Sequence, residues 1–322
     1  MVNGVQNSRY GAIARALPAT LGKIFFVCHA DDTFTADIMN EFPVDSDGVP
    51  RVYVTTSGAD TDQLAIQAAL DACVASRNDY VIVMPSNNDY DLGAQLTMSK
   101  RDVHLIGGDF LFNKLEVGSN SATKIDMTAA DHAILLTGGN CEIAGFYIKN
   151  YVNKFAVQIT GNVCDYAHIH HNSFLHKGSS TSGVAAVSSA TAGSSFITVE
   201  KNQFSGCISN ITYASVVDIA SSCTWATVRG NNFIYGDGNT LTKVINCLSY
   251  KGQVIDNEIN FSNGGGGATS TCTNAITIGG GTASGNYMSV VNTTTTDLAG
   301  GGSYSFVENY NGLNGGTLAT TS

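Results

Sequence analysis

The sequence predicts an all-β chain, folded as a right-handed single-stranded parallel β-helix with an N-terminal arm and a short capping α-helix. Three observations lead to this prediction: a short unit repeats from about residue 130, each unit carries an asparagine at the same place, and a hydrophobic segment precedes each unit. The composition agrees, because the chain has 35 Gly and 4 Pro and only 13% of its residues are charged. An average globular domain is about 25% charged.

The repeat is clearest when its units are aligned on their asparagine. The aligned segments are AHIHHNSF (167–174), ITVEKNQF (197–204), ATVRGNNF (226–233), GQVIDNEI (252–259), GTASGNYM (281–288) and YSFVENYN (304–311). The anchor asparagines are Asn172, Asn202, Asn231, Asn257, Asn286 and Asn309. CEIAGFYI (141–148) fits as the first member, and partner segments such as HAILLT and FAVQIT precede the units. Each repeat therefore predicts one coil of two or three short strands.

Stacking of these coils predicts which side chains form the core. Successive coils lie about 4.8 Å apart through parallel strand pairing. The positions three before and two after each asparagine are expected to point inward; they hold Ile169, Val199, Val228 and Val254, and Phe174, Phe204, Phe233 and Ile259. We expect the asparagines to bond backbone groups and each other in a structural ladder, and to occupy a bend with left-handed backbone.

The chain before the repeat predicts an arm and a cap. Residues 1–57 are predicted as an N-terminal arm and attachment region, residues 58–312 as the β-helix, and residues 313–322 as a C-terminal tail. A capping helix is expected at 60–76, where it would cover the hydrophobic end of the solenoid. Its apolar face is predicted to carry Leu64, Ile66, Ala69, Leu70 and Cys73.

Two resemblances add to this interpretation. The segment LAIQAALDAC followed by YVIVMP is similar to the helix-and-strand opening of the pectin-lyase-like β-helix superfamily, and the resemblance covers residues 58–312. It implies the fold and no particular activity, because this architecture carries lyases, hydrolases, tailspikes and purely structural proteins.

The second resemblance lies in SRYGAIARALPATLGKIFFV (8–27) and NEFPVDSDGVPRVYVT (40–55). This region resembles the N-terminal part of structural proteins of tailed bacteriophages, of the capsid decoration type. The resemblance implies a particle-bound oligomer without catalysis that is attached through its N-terminal region. The implied attachment residues are Arg9, Tyr10, Arg15, Leu17, Pro18 and Leu21.

The aligned coils show no catalytic set. Stacking is expected to place His170, Glu200 and Arg229 side by side on one outer face, which we interpret as a solvated cross-strand ladder. Glycoside hydrolysis needs two carboxylates about 5–9.5 Å apart, and no such pair stands out. We predict no cofactor and no metal site, although the pair His168 and His170 leaves metal binding across a symmetry axis open.

Charge and hydropathy limit the partners. The net charge of −10 and the pI of about 5.0 disfavour nucleic acid, because phosphate binding needs a basic surface. No apolar run approaches the roughly 20 residues of a membrane span, and no signal peptide is recognisable. We therefore expect synthesis in a host cytoplasm, with no nucleic-acid or membrane partner.

These observations favour a non-enzymatic bacteriophage structural protein, a capsid decoration or cement protein on the virion surface. Its expected partners are further copies of itself, as a trimer, and the major capsid protein or another virion protein. The alternative is a tailspike-like protein that binds host surface glycans, or degrades them as a glycoside hydrolase or polysaccharide lyase. That alternative predicts exposed aromatics, and the residues to inspect are Trp225, Tyr147, Tyr151, Tyr213 and Tyr235.

Overall fold

The chain forms a parallel β-helix with one strand of each of three sheets in every coil. The computed structural model describes residues 22–56, 60–108, 123–128, 131–149, 154–176, 185–189, 193–206, 212–235, 239–261, 271–290, 298–300, 304–307, 310–311, 316–317 and 320–321. The predicted attachment residues and Asn309 lie outside the described residues. The all-β parallel architecture predicted from the repeat is confirmed.

Sheet A contains eleven strands and runs the length of the molecule. In spatial order its strands are β2 (Val52–Val54), β1 (Ile24–Cys28), β3 (Asp79–Val83), β6 (Val103–Gly107), β9 (Glu142–Ala144), β12 (His168–His170), β15 (Thr198–Glu200), β19 (Thr227–Arg229), β22 (Gly252–Ile255), β25 (Gly281–Ser284) and β28 (Tyr304–Val307).

Sheets B and C contain ten strands each. The strands of sheet B are β4 (Tyr90–Leu92), β7 (Lys124–Met127), β10 (Tyr147–Lys149), β13 (Ser173–His176), β16 (Gln203–Gly206), β20 (Asn232–Tyr235), β23 (Glu258–Phe261), β26 (Tyr287–Val290), β29 (Tyr310–Asn311) and β30 (Gly316–Thr317). The strands of sheet C are β5 (Leu96–Met98), β8 (Ile134–Leu136), β11 (Val157–Ile159), β14 (Val187–Ser188), β18 (Val217–Ile219), β21 (Thr240–Cys247), β24 (Thr271–Ile278), β27 (Leu298–Gly300) and β31 (Thr320–Thr321), with β17 (Thr212–Tyr213) paired to β21.

The coiled part begins earlier than the repeat predicts. Strands β3, β4 and β5 already form a complete coil, each paired in parallel with its counterpart in the next coil. These strands lie within residues 58–312, the range predicted for the β-helix. The aligned units begin only later, because the first coils lack the asparagine on which the units were aligned. The predicted right-handed winding agrees with the general rule for parallel crossovers and stays a prediction.

The interior is a continuous stack of apolar side chains. All eight inward residues predicted from the repeat are fully buried, because strand alternation turns every second side chain into the coil. The rings of Phe174, Phe204 and Phe233 stack with centroid distances of 5.0 and 4.8 Å. Each pair of stacked aromatic rings adds about 0.5–1.5 kcal/mol beyond its buried area.

The N-terminal end of the solenoid is closed by a helix that is shorter than predicted. Helix α2 covers Gln63–Ala72, and it packs against strands at the first edges of all three sheets. The expected bounds 60–76 are wrong, since Thr61 is held in an antiparallel bridge to Leu92 and the Val74 N–H donates to Asp79 Oδ2 at 2.7 Å. Leu64 is 62% exposed rather than buried, because it lies opposite the helix face that carries Ile66 and Leu70.

Residues 22–56 contribute to the same sheet as the coils. Strands β1 and β2 extend sheet A beyond β3 in parallel register, and a second helix, α1 (Thr35–Glu41), follows β1. Helix α1 was not predicted from the sequence, where residues 1–57 were expected to form an arm. Backbone hydrogen bonding therefore continues across the predicted boundary at residue 57, and the division of the chain into regions stays a prediction.

Five buried asparagines form a hydrogen-bonded ladder between sheets A and B. Asn172, Asn202, Asn231 and Asn257 each donate their backbone N–H and side-chain Nδ2 to the Oδ1 of the asparagine in the next coil, at 2.9–3.1 Å. Each Nδ2 also donates to a backbone carbonyl of the preceding coil; for Asn202 this acceptor is Ile169 O at 2.9 Å. The ladder thus fixes the spacing of the coils at the turn between sheets A and B.

The left-handed backbone occurs one residue earlier than predicted. It belongs to the residue before each asparagine, where φ is +52° at His171 and Lys201, +59° at Gly230, +53° at Asp256 and +64° at Gly285. The asparagine itself stays outside that region because its backbone N–H must point along the ladder toward the next coil. The expectation that asparagine occupies the left-handed position is therefore wrong.

Loss of one ladder residue is expected to destabilise the whole fold. In Asn202→Ala, the Asn172 N–H loses its acceptor while it stays buried, and the Ile169 carbonyl loses the hydrogen bond from the asparagine side chain. An unsatisfied buried group costs about 1–3 kcal/mol, so we expect the free energy of unfolding to fall by about 2–5 kcal/mol in urea titrations followed by circular dichroism.

The matched control is Asn260→Ala, which removes an asparagine side chain that contacts Glu258 on the outer face. Surface changes of this kind shift stability by less than about 0.5 kcal/mol. Equal losses in the two variants would contradict the structural role of the ladder.

Candidate functional site

The outer face of sheet A carries a stripe of histidines and glutamates. Parallel register places His170 beside Glu200 and Glu200 beside Arg229, as the repeat predicts. In the adjacent row, register places His104 beside Glu142 and Glu142 beside His168. We call His104, Glu142, His168, His170, Glu200 and Arg229 the His–Glu stripe. The repeat predicts the row of His170, Glu200 and Arg229 but not the row of His104, Glu142 and His168, because His104 lies in a coil outside the aligned units.

Both carboxylates of the stripe are held by direct partners. Glu142 contacts His104 Nδ1 through Oε2 at 2.8 Å and His170 Nε2 through Oε1 at 2.7 Å. Glu200 contacts His168 Nε2 at 2.9 Å and accepts a hydrogen bond from Arg229 Nε. The Glu142–His170 and Glu200–His168 contacts are diagonal, the other two join direct register partners, and all four link neighbouring coils on the sheet surface.

The partners keep both carboxylates ionised. Burial alone would raise the pKa of Glu142, but hydrogen bonds and positive charge from His104 and His170 outweigh it, and the pKa falls to about 2. The pKa of Glu200 is lowered in the same way, as Arg229 and His168 overcome the effect of burial. A general acid at a glycosidic bond has to be protonated near neutral pH, which neither carboxyl of the stripe provides.

Both histidines of the pair His168 and His170 contact glutamates of the stripe. The rings of His168 and His170 lie 4.0 Å apart between centroids, and each contacts a glutamate. Burial and the neighbouring His170 lower the pKa of His168. Within the described ranges, no group of three or more His, Cys, Asp or Glu side chains converges as metal ligands do.

A second set of titratable groups lies at the N-terminal end. Asp62 is 3% exposed, and its Oδ2 lies 3.8 Å from His29 Nε2 and accepts the Asp91 N–H at 2.9 Å. Asp32 is half-buried and accepts a hydrogen bond from Ser86 Oγ at 3.1 Å. Burial raises the pKa of both carboxyls. The neighbouring Asp31, in contrast, is exposed.

The cysteines described by the structure are free and buried: Cys28, Cys73, Cys141, Cys164, Cys223, Cys247 and Cys272. Burial raises the pKa of Cys28 and Cys247 to about 12, so these thiols stay protonated and act as small apolar side chains.

Exposed aromatic rings line the turn between sheets C and A. Tyr166, Phe196 and Trp225 occupy equivalent places in three successive coils and are 54%, 42% and 46% exposed. Their rings stack at centroid distances of 4.8 Å and 6.3 Å, and Lys251 Nζ lies 4.4 Å from the centroid of the Trp225 ring. With Asp102 and Asn140 of the two preceding coils and Lys251 of the following coil, they form a row that we call the ridge.

The ridge residues all have left-handed backbone. Their φ values lie between +52° and +61°, and the first five donate their N–H to a carbonyl of the next coil at 2.6–3.0 Å. Asn and Asp tolerate this region, whereas a bulky side chain there costs about 1–3 kcal/mol. The aromatic rings therefore stand at positions where asparagine or glycine would give a more stable coil.

The other aromatic residues named from the sequence are placed differently. Tyr235 is 1% exposed and belongs to the core, so its selection as a surface residue is wrong. Tyr147 is half-buried in sheet B. Tyr151 and the side chain of Tyr213 lie outside the described residues. Tyr166 and Phe196 were missed, because the alignment was anchored on the other turn of the coil.

Neither described helix is long and apolar enough to cross a membrane. In comparisons with known proteins, no family model, curated protein or solved structure matches the chain.

The stability of the protein at acidic pH is expected to depend on the ionisation of Glu142 in the stripe. The folded pKa of Glu142 is about 2, below its ordinary value of 4.5, so the unfolded chain binds the extra proton first as the pH falls. The stabilisation is complete above about pH 4.5 and disappears as the pH falls toward 2. Glu142→Gln should lower the free energy of unfolding at pH 7 by about 2 kcal/mol and flatten its slope between pH 4.5 and 2, as measured by urea titrations across pH.

Glu258→Gln serves as control, because Glu258 is an exposed glutamate outside the stripe, and its effect should stay below about 0.5 kcal/mol. A separate loss of stability between pH 6.5 and about 4 is expected in both variants, since burial lowers the pKa of His176 to about 4 and the unfolded chain protonates first. An unchanged slope below pH 4.5 in Glu142→Gln would contradict the assignment.

Proposed function

We propose that this chain is a non-enzymatic structural protein of a bacteriophage particle, a capsid decoration or cement protein. The resemblance of residues 8–27 and 40–55 to phage structural proteins supports the particle, and the β-helix supplies a rigid body. The N-terminal region attaches it to the major capsid protein or another virion protein, and copies associate on the virion surface after synthesis in the host cytoplasm.

The observation that carries the non-enzymatic role is the closed pairing of the His–Glu stripe. On this outer face both carboxylates are bound by histidine or arginine and stay ionised near neutral pH. Their charges stabilise the surface and are not offered to a substrate. The carboxyls with a raised pKa, Asp32 and Asp62, lie at the capped end, and Asp62 is almost completely enclosed.

A second candidate is a tailspike-like protein that binds or degrades host surface polysaccharide. The exposed rings of the ridge favour it, because sugar rings can stack their C–H faces on aromatic side chains. The geometry limits that use: both faces of Phe196 are taken by neighbouring rings, and Lys251 covers Trp225. For degradation, Asp32 would be the first acid to test.

Attachment through the N-terminal region can be tested by charge reversal. We expect the double variant Arg9→Glu/Arg15→Glu to lose most of its binding to empty shells assembled from the major capsid protein, because both changes oppose the positive charge of this segment. Copies per shell are counted by co-sedimentation and quantitative mass spectrometry.

The control is Lys154→Glu, a charge reversal at an exposed lysine of the body, which should leave the copy number unchanged. Full binding of the N-terminal variant would remove the proposed attachment role. Release of reducing sugars from host polysaccharide that is abolished in Asp32→Asn but kept in Asp31→Asn would replace the structural role by the enzymatic one.

A further inference from the structure

The ridge presents the edges of its rings to solvent rather than their faces. Tyr166 and Phe196 are nearly parallel, with 4° between their planes, and Phe196 and Trp225 are within 10°. The stack leaves an apolar strip of ring edges that is widened by Val163 and Tyr250, which are 65% and 62% exposed. Contiguous exposed apolar surface of this kind marks a contact with another macromolecule.

The order of the charged residues along the ridge indicates which surface could bind to it. Along the coils the six residues run Asp102, Asn140, Tyr166, Phe196, Trp225 and Lys251. A carboxylate therefore stands two coils before Tyr166 and a lysine two coils after Phe196, so the midpoint between the two charges falls between these rings. The row continues before Asp102 with Asn78, which has the same place in its coil and a φ of +62°. The Asp102 side chain is 18% exposed, and it accepts a hydrogen bond from Asn140 Nδ2.

We propose that the ridge is a two-fold interface between two copies of this chain that lie antiparallel. A two-fold axis between Tyr166 and Phe196 brings each residue opposite its counterpart in reverse order. Asp102 then faces Lys251 of the second copy, Asn140 faces Trp225, and Tyr166 faces Phe196. The contact is self-complementary, as a two-fold interface between identical chains has to be.

A parallel arrangement of copies would place like charges opposite each other on the ridge. A three-fold axis along the coils would bring identical ridge residues together, so that Lys251 meets Lys251 and Asp102 meets Asp102. Like charges placed opposite each other are unfavourable at an interface. A trimer, as expected from the sequence, would therefore have to use a different face.

The residues beside the ridge fit the antiparallel contact. Arg101, which lies 3.4 Å from Asp102 through its Nε, faces Tyr250 of the second copy, where a guanidinium can stack on the ring. In the next row on sheet A, two residues after each ridge position, Glu142 faces Thr227 and His168 faces Thr198 of the second copy. Like charges do not meet in these two rows.

The size of the strip predicts a weak dimer. Six coils spaced about 4.8 Å apart give a length of about 24 Å. With the two flanking rows, the contact buries about 1,000 Å² in total, at the small end of specific interfaces. We therefore expect dimerisation with a Kd in the micromolar range, which is visible by sedimentation velocity over a concentration series. Trp225 is the only tryptophan of the chain, so its emission should shift to shorter wavelength as the dimer forms.

Zero-length carbodiimide crosslinking tests the orientation. Carbodiimide activates a carboxylate, the lysine amine displaces the activating group as a urea, and an amide bond remains between the two side chains. Within one chain, Asp102 and Lys251 are five coils apart, about 24 Å, so they cannot be joined. We expect mass spectrometry of the dimer band to show the peptide of Asp102 joined to that of Lys251. A dimer band without this link would overturn the antiparallel arrangement.

Charge exchange gives an independent test. Lys251→Asp and Asp102→Lys should each weaken dimerisation about tenfold, because each creates two like-charge contacts in a two-fold dimer. The double variant restores opposite charges and should return to within about threefold of the parent. Failure of the double variant to recover, with thermal unfolding unchanged, would overturn the proposed pairing.

Trp225→Asn separates association from folding. Asparagine accepts the left-handed backbone, so the monomer should unfold at an unchanged or higher temperature while the dimer weakens at least tenfold. A chain that stays monomeric up to millimolar concentration, or a trimer that is unaffected by Trp225→Asn, would refute the interface. Binding of glycan to the monomer, lost in Trp225→Asn without any dimer, would assign the ridge to the polysaccharide instead.

Discussion

The parallel stacking of coils at a fixed distance is the constraint on which the rest of this molecule depends. Backbone hydrogen bonds along three sheets set that distance. The asparagine ladder maintains it at the turn between sheets A and B, where the same hydrogen bond repeats between successive asparagines from Asn172 to Asn286. Because every rung needs its neighbour, the coils form one cooperative column. The same spacing brings side chains of equivalent positions into contact on the outside, so that both surface features, the stripe and the ridge, are consequences of the stacking.

The two surface features use this spacing differently. In the stripe, opposite charges alternate between coils, so histidine and arginine side chains of the same chain bind each carboxylate and balance its charge. In the ridge, aromatic rings contact each other through their faces but leave their edges open, and left-handed backbone beneath them costs conformational free energy. A scaffold role needs the first arrangement, whereas the second leaves ring edges available for the external contact proposed above.

The sequence predicted the parts of this fold that repeat. Asparagines at intervals of 23–30 residues identified the coils, and alternation assigned Val199 and Phe204 to the core correctly, because inward positions are dictated by local periodicity. Where the signal was not periodic the sequence predicted less: the coils before Asn172 lack the asparagine, and helix α2 ends where tertiary contacts of Thr61 and Val74 compete with helical bonding. The ridge was missed because Tyr166, Phe196 and Trp225 share no residue type, and their common backbone conformation is visible only in three dimensions. The N-terminal attachment residues lie outside the described residues, so their role is predicted from the sequence alone.

The direction of the asparagine ladder has a consequence for the length of the molecule. Within the ladder, each asparagine donates to the Oδ1 of the asparagine in the next coil toward the C-terminus. At the N-terminal end of the ladder, the Oδ1 of Asn172 accepts a hydrogen bond from the backbone N–H of Phe146 at 3.1 Å. Any backbone amide can begin the row, so a rung makes no demand on the number of coils before it. Whole coils can therefore be duplicated or removed in recombination between related genes without leaving a mismatched rung. The column can evolve in steps of one coil, about 4.8 Å each, while the asparagine ladder keeps its register.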